Sequence, residues 1–295
     1  MVSRVERNKK TRKKIENIEK SERTKSFLKT FFKTLFIAGI IVFSIFVSIR
    51  YIANFGIIVR EYPIRYTNIP KSFHGFKIVH FGDIYNNPYS NNLDYYIEKI
   101  NELKPDLVLF TGGLKHKDYD ISLEEQERLI KKFSKIKSTV GNYYILGEYD
   151  NEDVSNILSS SNFKDITDKL EEIYFEGEVP IILAGIKENP NIDYAKNKNL
   201  FIINMVYKPD LTDEILNYNS PDLILAGLSI NGQFRLPYIG GLIKEEGYKK
   251  YYDKEFQIND TKLYITGGLG TNNVPARLFN QPSINFYRLM YTETN

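Results

Sequence analysis

The chain has 295 residues, enough for one large α/β domain plus an anchor, and its 22 Tyr and 19 Phe supply ample material for a core. It contains no cysteine, which excludes a disulfide framework and any thiolate metal site. The net charge of +3 hides an asymmetry: residues 1–33 carry 12 Lys/Arg against 4 Asp/Glu, whereas residues 51–295 hold 27 basic and 33 acidic residues, and so acidic a domain excludes nucleic acid as a partner.

Residues 1–30 are polar and rich in Lys/Arg, and they predict a flexible or partly helical tail. Sixteen uncharged residues follow, Thr34 to Ile49, extended by Phe31 and Phe32 on one side and by Tyr51, Ile52 and Ala53 on the other. Lys33 and Arg50 flank the run, where their long stems can carry the charge to an interface. A span of about 20 apolar residues matches the hydrocarbon thickness of a bilayer, so 31–55 is predicted as a transmembrane helix. A cleaved signal peptide would have a shorter basic region and a small-x-small cleavage site, and a buried soluble helix would show a polar face. Neither is present. The excess of Lys/Arg ahead of the run places the tail in the cytoplasm and the rest of this single-pass chain, 56–295, outside the cell membrane.

Beyond residue 56, strand-like and helix-like segments alternate. Short apolar runs at 77–81 and 107–111 end in Gly, as buried strands do. Residues 91–103 show helical spacing through Leu93, Tyr96, Ile97, Ile100 and Leu103, and stop before Pro105. A charged helix is predicted over 123–136. Further strands are predicted at 143–146, 181–184, 200–205, 223–226, 262–266 and 284–289. This alternation implies a layered α/β fold. No internal repeat or low-complexity linker follows the anchor. Of the three histidines, His74, His80 and His116, His80 lies in an apolar stretch and reads as a strand residue facing the core or an adjacent helix.

Five segments carry the chemistry-bearing pattern: Phe81-Gly82-Asp83-Ile84-Tyr85; Pro105-Asp106-Leu107 through Gly112-Gly113; Leu146-Gly147-Glu148-Tyr149-Asp150; Tyr207-Lys208-Pro209-Asp210; and Gly227-Leu228-Ser229-Ile230-Asn231-Gly232-Gln233-Phe234-Arg235-Leu236-Pro237. In order and spacing, the set resembles the blocks of the calcineurin-like metallophosphoesterases, and most of all their membrane-anchored bacterial branch. Gly268-Leu269-Gly270-Thr271 and Pro275-x-Arg277-Leu278-Phe279 add to the likeness, which covers about 58–290. The resemblance implies an α/β sandwich of two central β-sheets flanked by helices. It also implies a two-metal hydrolytic site built from Asp-x-His, Gly-Asp, Gly-Asn-His-Asp/Glu, His and Gly-His-x-His.

Most of those ligands are replaced. Asp83 stands where the family has its first aspartate, but the histidine two residues on is Tyr85. The bridging aspartate is Gly113. The asparagine ligand is Glu148, the histidine assisting the leaving group is Tyr149, and Asp150 keeps the acidic residue after it. The next histidine is Tyr207, and those of Gly-His-x-His are Leu228 and Ile230. Two dications need a bridging carboxylate to offset their repulsion, and phenol, leucine and isoleucine are no substitutes for imidazole. No metal or other cofactor is therefore expected. A single weakly bound divalent cation on Asp83 and Glu148 is the remaining option. Two readings of the old site follow. It has filled itself with apolar bulk, or it forms a ligand pocket of Asp83, Tyr85, Tyr149, Tyr207 and Asn231, with Gly113 opening space. Asn231 through Pro237 otherwise serves turn geometry, and Asp106, Asp210 and Asp222, each after a proline, cap or start elements. The functional expectation is a catalytically inactive, membrane-anchored protein that binds or scaffolds a protein or small molecule. The alternative is a divergent phosphoesterase acting on phospholipid or cell-envelope phosphoesters.

Overall fold

The computed structural model describes residues 4–52, 56–85, 92–192, 199–236, 238–242, 244–271 and 276–293. Parts of the expectations above, at 1–3, 53–55, Asn91, Pro237 and Pro275, lie outside the described residues. The chain divides into two units, 1–51 and 52–295.

The first unit is one helix, α1 (Arg4–Ile52), which runs without a break through the basic tail and the apolar segment. Thr24, Thr30 and Thr34 each turn their hydroxyl back onto the carbonyl four residues earlier, which satisfies the polar group within the helix. Among the described residues this is the one helix long and apolar enough to cross a membrane, and none of its apolar window is buried.

The second unit follows in the order β1 (Ile58–Tyr66), β2 (Lys77–Phe81), α2 (Leu93–Glu102), β3 (Leu107–Phe110), α3 (Leu123–Phe133), β4 (Gly141–Tyr144), α4 (Glu152–Ser159), β5 (Phe163–Asp165), β6 (Leu170–Ile173), β7 (Ile181–Ile186), β8 (Ile202–Val206), α5 (Thr212–Tyr218), β9 (Leu223–Ala226), β10 (Arg235–Leu236), β11 (Gly240–Gly241), β12 (Glu255–Ile258), β13 (Thr261–Ile265) and β14 (Ser283–Tyr291). Two six-stranded sheets result, ordered β1-β14-β2-β3-β4-β5 and β12-β13-β9-β8-β7-β6, with β10 and β11 as a separate hairpin. Strands β2 to β5 pair in parallel, as do β7, β8, β9 and β13. The mixed α/β class is the one the alternation predicts, and the two central sheets are those the resemblance implies.

Period-two alternation sorts the side chains. Ile78, Leu107, Leu109, Ile203, Leu225 and Tyr287 fill the layer between the sheets. Val79, Phe81, Val108 and Phe110 face outward under α2, α3 and α4, which contribute Ile97, Leu129, Phe133 and Ile157. Val206, Ile224, Leu263 and Ile265 pack with Ile215 of α5 on the other outer face. With both faces covered, the parallel strands are apolar at nearly every position, which is what makes them readable as short apolar runs. His80 is fully buried and bridges the Tyr287 hydroxyl (3.1 Å) and Thr111 Oγ1 (3.0 Å), the structural role predicted for it.

Candidate functional site

The segments singled out by the sequence are the loops that leave the carboxyl ends of β2, β3, β4, β8 and β9, where an open α/β sheet forms its crevice. Backbone bonds stitch them together. Asp83 donates its N–H to the Gly112 carbonyl (2.9 Å) and Tyr85 to that of Gly113 (2.8 Å). On the other side, Leu269 and Gly270 donate to the Asp83 carbonyl at 3.2 and 2.7 Å. A Cβ at position 270 would lie 1.8 Å from the Ile84 carbonyl oxygen, so this close approach requires glycine.

Asp83 is fully buried. Its Oδ1 accepts the Leu228 N–H at 3.0 Å, and its Oδ2 accepts no hydrogen bond. Burial pushes its pKa up to about 7, against the lowering influence of the Leu228 N–H, the Tyr85 hydroxyl and the Arg277 guanidinium. The Tyr85 hydroxyl leans toward the carboxylate without completing a bond to Oδ2. It pairs instead with the Tyr207 hydroxyl at 3.2 Å. Both phenols are buried, and burial raises the pKa of each well above the ordinary tyrosine value, so both are neutral donors and acceptors.

Asp150 has a different task. Its Oδ2 accepts the N–H groups of Gly113 and Gly147, each at 2.8 Å, and its Oδ1 accepts that of Lys115 at 2.9 Å. One carboxylate thereby joins the loops after β3 and β4. Burial raises its pKa, and the backbone donors work against that rise.

Of the nine candidate positions, Asp83, Tyr85, Gly113, Asp150, Tyr207, Leu228 and Ile230 are buried together at this sheet end. Two are not. Tyr149 is 41% exposed, so it does not join Tyr85 and Tyr207. Glu148 is half exposed and paired with Lys208 at 3.1 Å, away from the interior that holds Asp83. Gly113 does not open space either. Its φ is +78°, and a Cβ there would lie 2.8 Å from Asp83 Oδ1, so the aspartate side chain occupies the room that the missing side chain leaves. Asn231 is fully buried with φ +52°; with its amide oxygen turned toward them, it accepts from Arg60 Nη1 (2.8 Å) and the Gly267 N–H (3.3 Å), a structural duty in place of a ligand-facing one. Asp106 and Asp222 immediately precede β3 and β9, as expected of residues that start elements, and Asp106, Asp210 and Asp222 also accept backbone N–H from neighbouring segments.

The backbone of the candidate site is strained at four positions. Asp83, Tyr85, Leu228 and Ile230 all have positive φ, between 45° and 62°. Each such residue costs roughly 1–2 kcal/mol, and a β-branched isoleucine is an outlier there.

The residue set does not fit two metal ions. The bridging position has no side chain and no room for one, the retained aspartate has one oxygen committed to Leu228, and no group of three or more His, Asp or Glu converges among the described residues. Sequence reasoning gave no role to Arg277, which is fully buried beside this site. Its guanidinium donates to the carbonyls of Gly267 (2.6 Å), Gly268 (3.1 Å) and Gly270, and its Nε finds no partner. Burial lowers its pKa to about 10, which leaves it charged. Its place in a Pro-x-Arg-Leu-Phe segment beside a Gly-rich one was the available signal.

Residues 76–267 match the model of the family described as calcineurin-like phosphoesterase. The chain is 27% identical over 257 residues to the uncharacterized metallophosphoesterase YkuE of Bacillus subtilis (strain 168), covering 82% of this chain and 89% of that protein. It is 25% identical over 218 residues to an uncharacterized metallophosphoesterase of Helicobacter pylori, covering 67% of this chain and 55% of that one. Similar solved structures include a novel archaeal phosphodiesterase (12% identity, TM-score 0.36, covering 65% of this chain and 84% of that one) and the calcineurin-like phosphoesterase YfkN of Bacillus subtilis (13%, 0.39, 66% and 81%). With a family match that spans 76–267, this chain belongs to the calcineurin-like phosphoesterases.

Proposed function

We propose that this protein is a catalytically inactive member of its family, a membrane-anchored binding or scaffold protein with no resident metal. The observation that carries the reading is the contact between Gly113 and Asp83. The position that would bridge two metals lacks a carboxylate, and the retained aspartate has moved into its space and bonded a backbone N–H. Tyr85, Tyr207, Leu228 and Ile230 close the remainder with groups that cannot replace imidazole at neutral pH. The apolar run of α1 holds the domain at the cell membrane, and the basic tail ahead of it keeps the amino terminus in the cytoplasm.

The test uses the purified full-length chain in detergent. Elemental analysis is expected to find no stoichiometric metal, Mn²⁺ to leave the unfolding temperature unchanged, and a chromogenic phosphodiester to remain intact. Gly113→Asp is expected to lower the unfolding temperature without creating Mn²⁺ affinity, because the new side chain meets Asp83 and adds a second buried carboxylate beside it. Two metals per chain, or Mn²⁺-dependent turnover lost in Asp83→Ala, would overturn the reading.

A further inference from the structure

Among the described residues, bulky apolar side chains stand largely uncovered at one end of the domain. Tyr238 is fully exposed, and Ile239, Leu242 and Phe279 are 66%, 49% and 65% exposed. Tyr238 and Ile239 lie in the turn of the β10–β11 hairpin. Leu242 follows β11 and donates its N–H to the Phe234 carbonyl at 2.7 Å. Phe279 belongs to the adjoining segment, fixed to the hairpin by the Arg235 N–H bond to the Leu278 carbonyl at 2.9 Å. Tyr238 and Phe279 both have positive φ, +67° and +48°. The domain therefore accepts roughly 1–2 kcal/mol of backbone strain at each of two aromatic residues that contribute no packing to its core. Between them runs a groove of about 420 Å³ that also exposes Lys254 and the Arg235–Asp253 ion pair.

The position of this cluster in the chain says what it meets. Phe279 lies three residues before Pro282, whose carbonyl accepts the N–H of Ile58 at 2.9 Å. Ile58 is the first residue of β1, where the chain arriving from α1 enters the domain. Only residues 53–57 separate the last residue of α1 from that point, a reach of about 20 Å when fully extended. The register adds a third coincidence. β14 is antiparallel to β2, with Asn285 opposite His80, so the start of β14 lies at the carboxyl end of β2, beside Asp83. The tether entry, the apolar cluster and the former catalytic loops share one end of the domain.

We infer that this end rests on the lipid bilayer, with Tyr238, Ile239, Leu242 and Phe279 dipped into the boundary between headgroups and acyl chains. The inference rests on the membrane-anchored reading above and extends it to the orientation of the domain. The tether keeps this end within reach of lipid in every molecule, so contact is an intramolecular event with a high effective concentration. Tyrosine and phenylalanine favour that interface, and Lys254 beside them is placed to meet lipid phosphates. The former catalytic loops then face the membrane, and what they bind is presented from the lipid side.

Because the chain has no cysteine, single labels report one position each. Full-length Tyr238→Cys, Phe279→Cys, Asp260→Cys and Ser44→Cys variants, each carrying a fluorophore, would be reconstituted in phosphatidylethanolamine–phosphatidylglycerol vesicles doped with phosphatidylcholine spin-labelled on its acyl chain. Asp260 marks the opposite end of the domain, since its carbonyl accepts from Tyr66 at the end of β1, and Ser44 marks the apolar run of α1. Quenching at Tyr238→Cys and Phe279→Cys is expected to be about threefold that at Asp260→Cys, as an interfacial element requires. Quenching at Ser44→Cys with none above the Asp260→Cys level at the other two would overturn the inference and leave the anchor standing. No quenching at Ser44→Cys would overturn both.

Discussion

Asp83 is a fully buried carboxylate with one oxygen bonded to a backbone N–H and the other without a hydrogen bond. In the folded protein its pKa is near 7, against 3.8 for an unperturbed side chain, because burial opposes the charge more strongly than Leu228, Tyr85 and Arg277 support it. The folded state therefore holds the Asp83 proton more tightly than the unfolded state does. The contribution is fully favourable below pH 4 and is lost as pH rises toward 7, at about 1.4 kcal/mol per pH unit. His80 has the opposite slope. Burial lowers its pKa to about 3, so the folded state excludes a proton that the unfolded chain takes up below pH 6.5. The two slopes largely cancel between pH 4 and 6.5. Asp83→Asn removes one of them. The variant is expected to be less stable than the parent by about 1 kcal/mol at pH 4, for an imperfectly replaced hydrogen bond, and more stable by about 3 kcal/mol at pH 8. Unfolding temperatures of parent and variant across pH 4–8 check this, and a difference independent of pH would show that no charge is buried at Asp83. At this scale the sequence shows which residue types stand at the motif positions but not how they pack. Gly113 reads as open space until its φ and the Asp83 side chain are seen together, and Tyr149 reads as a third converging phenol until its exposure is known. Neither the direction of a loop side chain nor the identity of what fills a void is periodic, so pattern cannot supply it.

The elements that periodicity captures are those buried on both faces. β2 and β9 fall where the apolar runs place them, and β3, β13 and β14 begin or end within two residues of their predicted bounds. β4 was legible from Tyr143 onward but begins at Gly141, because Gly and Asn carry no apolar signal even though the ladder includes them. β1 was not seen. It is an edge strand with most of its side chains exposed and a proline inside it, so it lacks both the continuous apolar run and the clean alternation that mark a strand. α4 is eight residues long, and its N-cap Asn151 holds the Val154 N–H, a signal too short to stand out beside the motif it follows. The same neighbourhood contains Asp150, whose three backbone bonds fasten the loops after β3 and β4 ahead of that helix. That duty needs neither a metal nor a reaction, and it gives position 150 a structural reason to carry a carboxylate. Asp150→Asn keeps one oxygen and turns an amide against at least one backbone donor. The variant is expected to lose about 2–4 kcal/mol, the sum of weakened charge-assisted bonds and one unsatisfied buried donor. Urea unfolding of the full-length chain measures it, and a loss under about 0.5 kcal/mol would mean that the clasp is not needed.

For the whole molecule, the charge distribution and the single long helix bear on the same question. α1 continues as one helix from Arg4 through the apolar run, so the basic segment and the candidate span form one continuous helix. The described apolar side chains of that helix stand uncovered, Phe36 and Phe43 at 70% and 67% exposure, an arrangement that water disfavours and lipid tolerates. Moving the Lys/Arg-rich end across a bilayer would require transferring its twelve cations, whereas the reverse orientation requires export of a domain whose net charge is negative. The amino terminus is therefore expected inside and the domain outside. Ser21→Cys in the tail and Glu127→Cys on the exposed face of α3 provide the readout, since no native cysteine competes. In intact cells a membrane-impermeant maleimide should modify Glu127→Cys fully and Ser21→Cys only after lysis. Labelling of Ser21→Cys alone would reverse the topology. Labelling of neither before lysis would place both ends in the cytoplasm, and α1 would then be a helix that lies against the membrane or a partner without crossing.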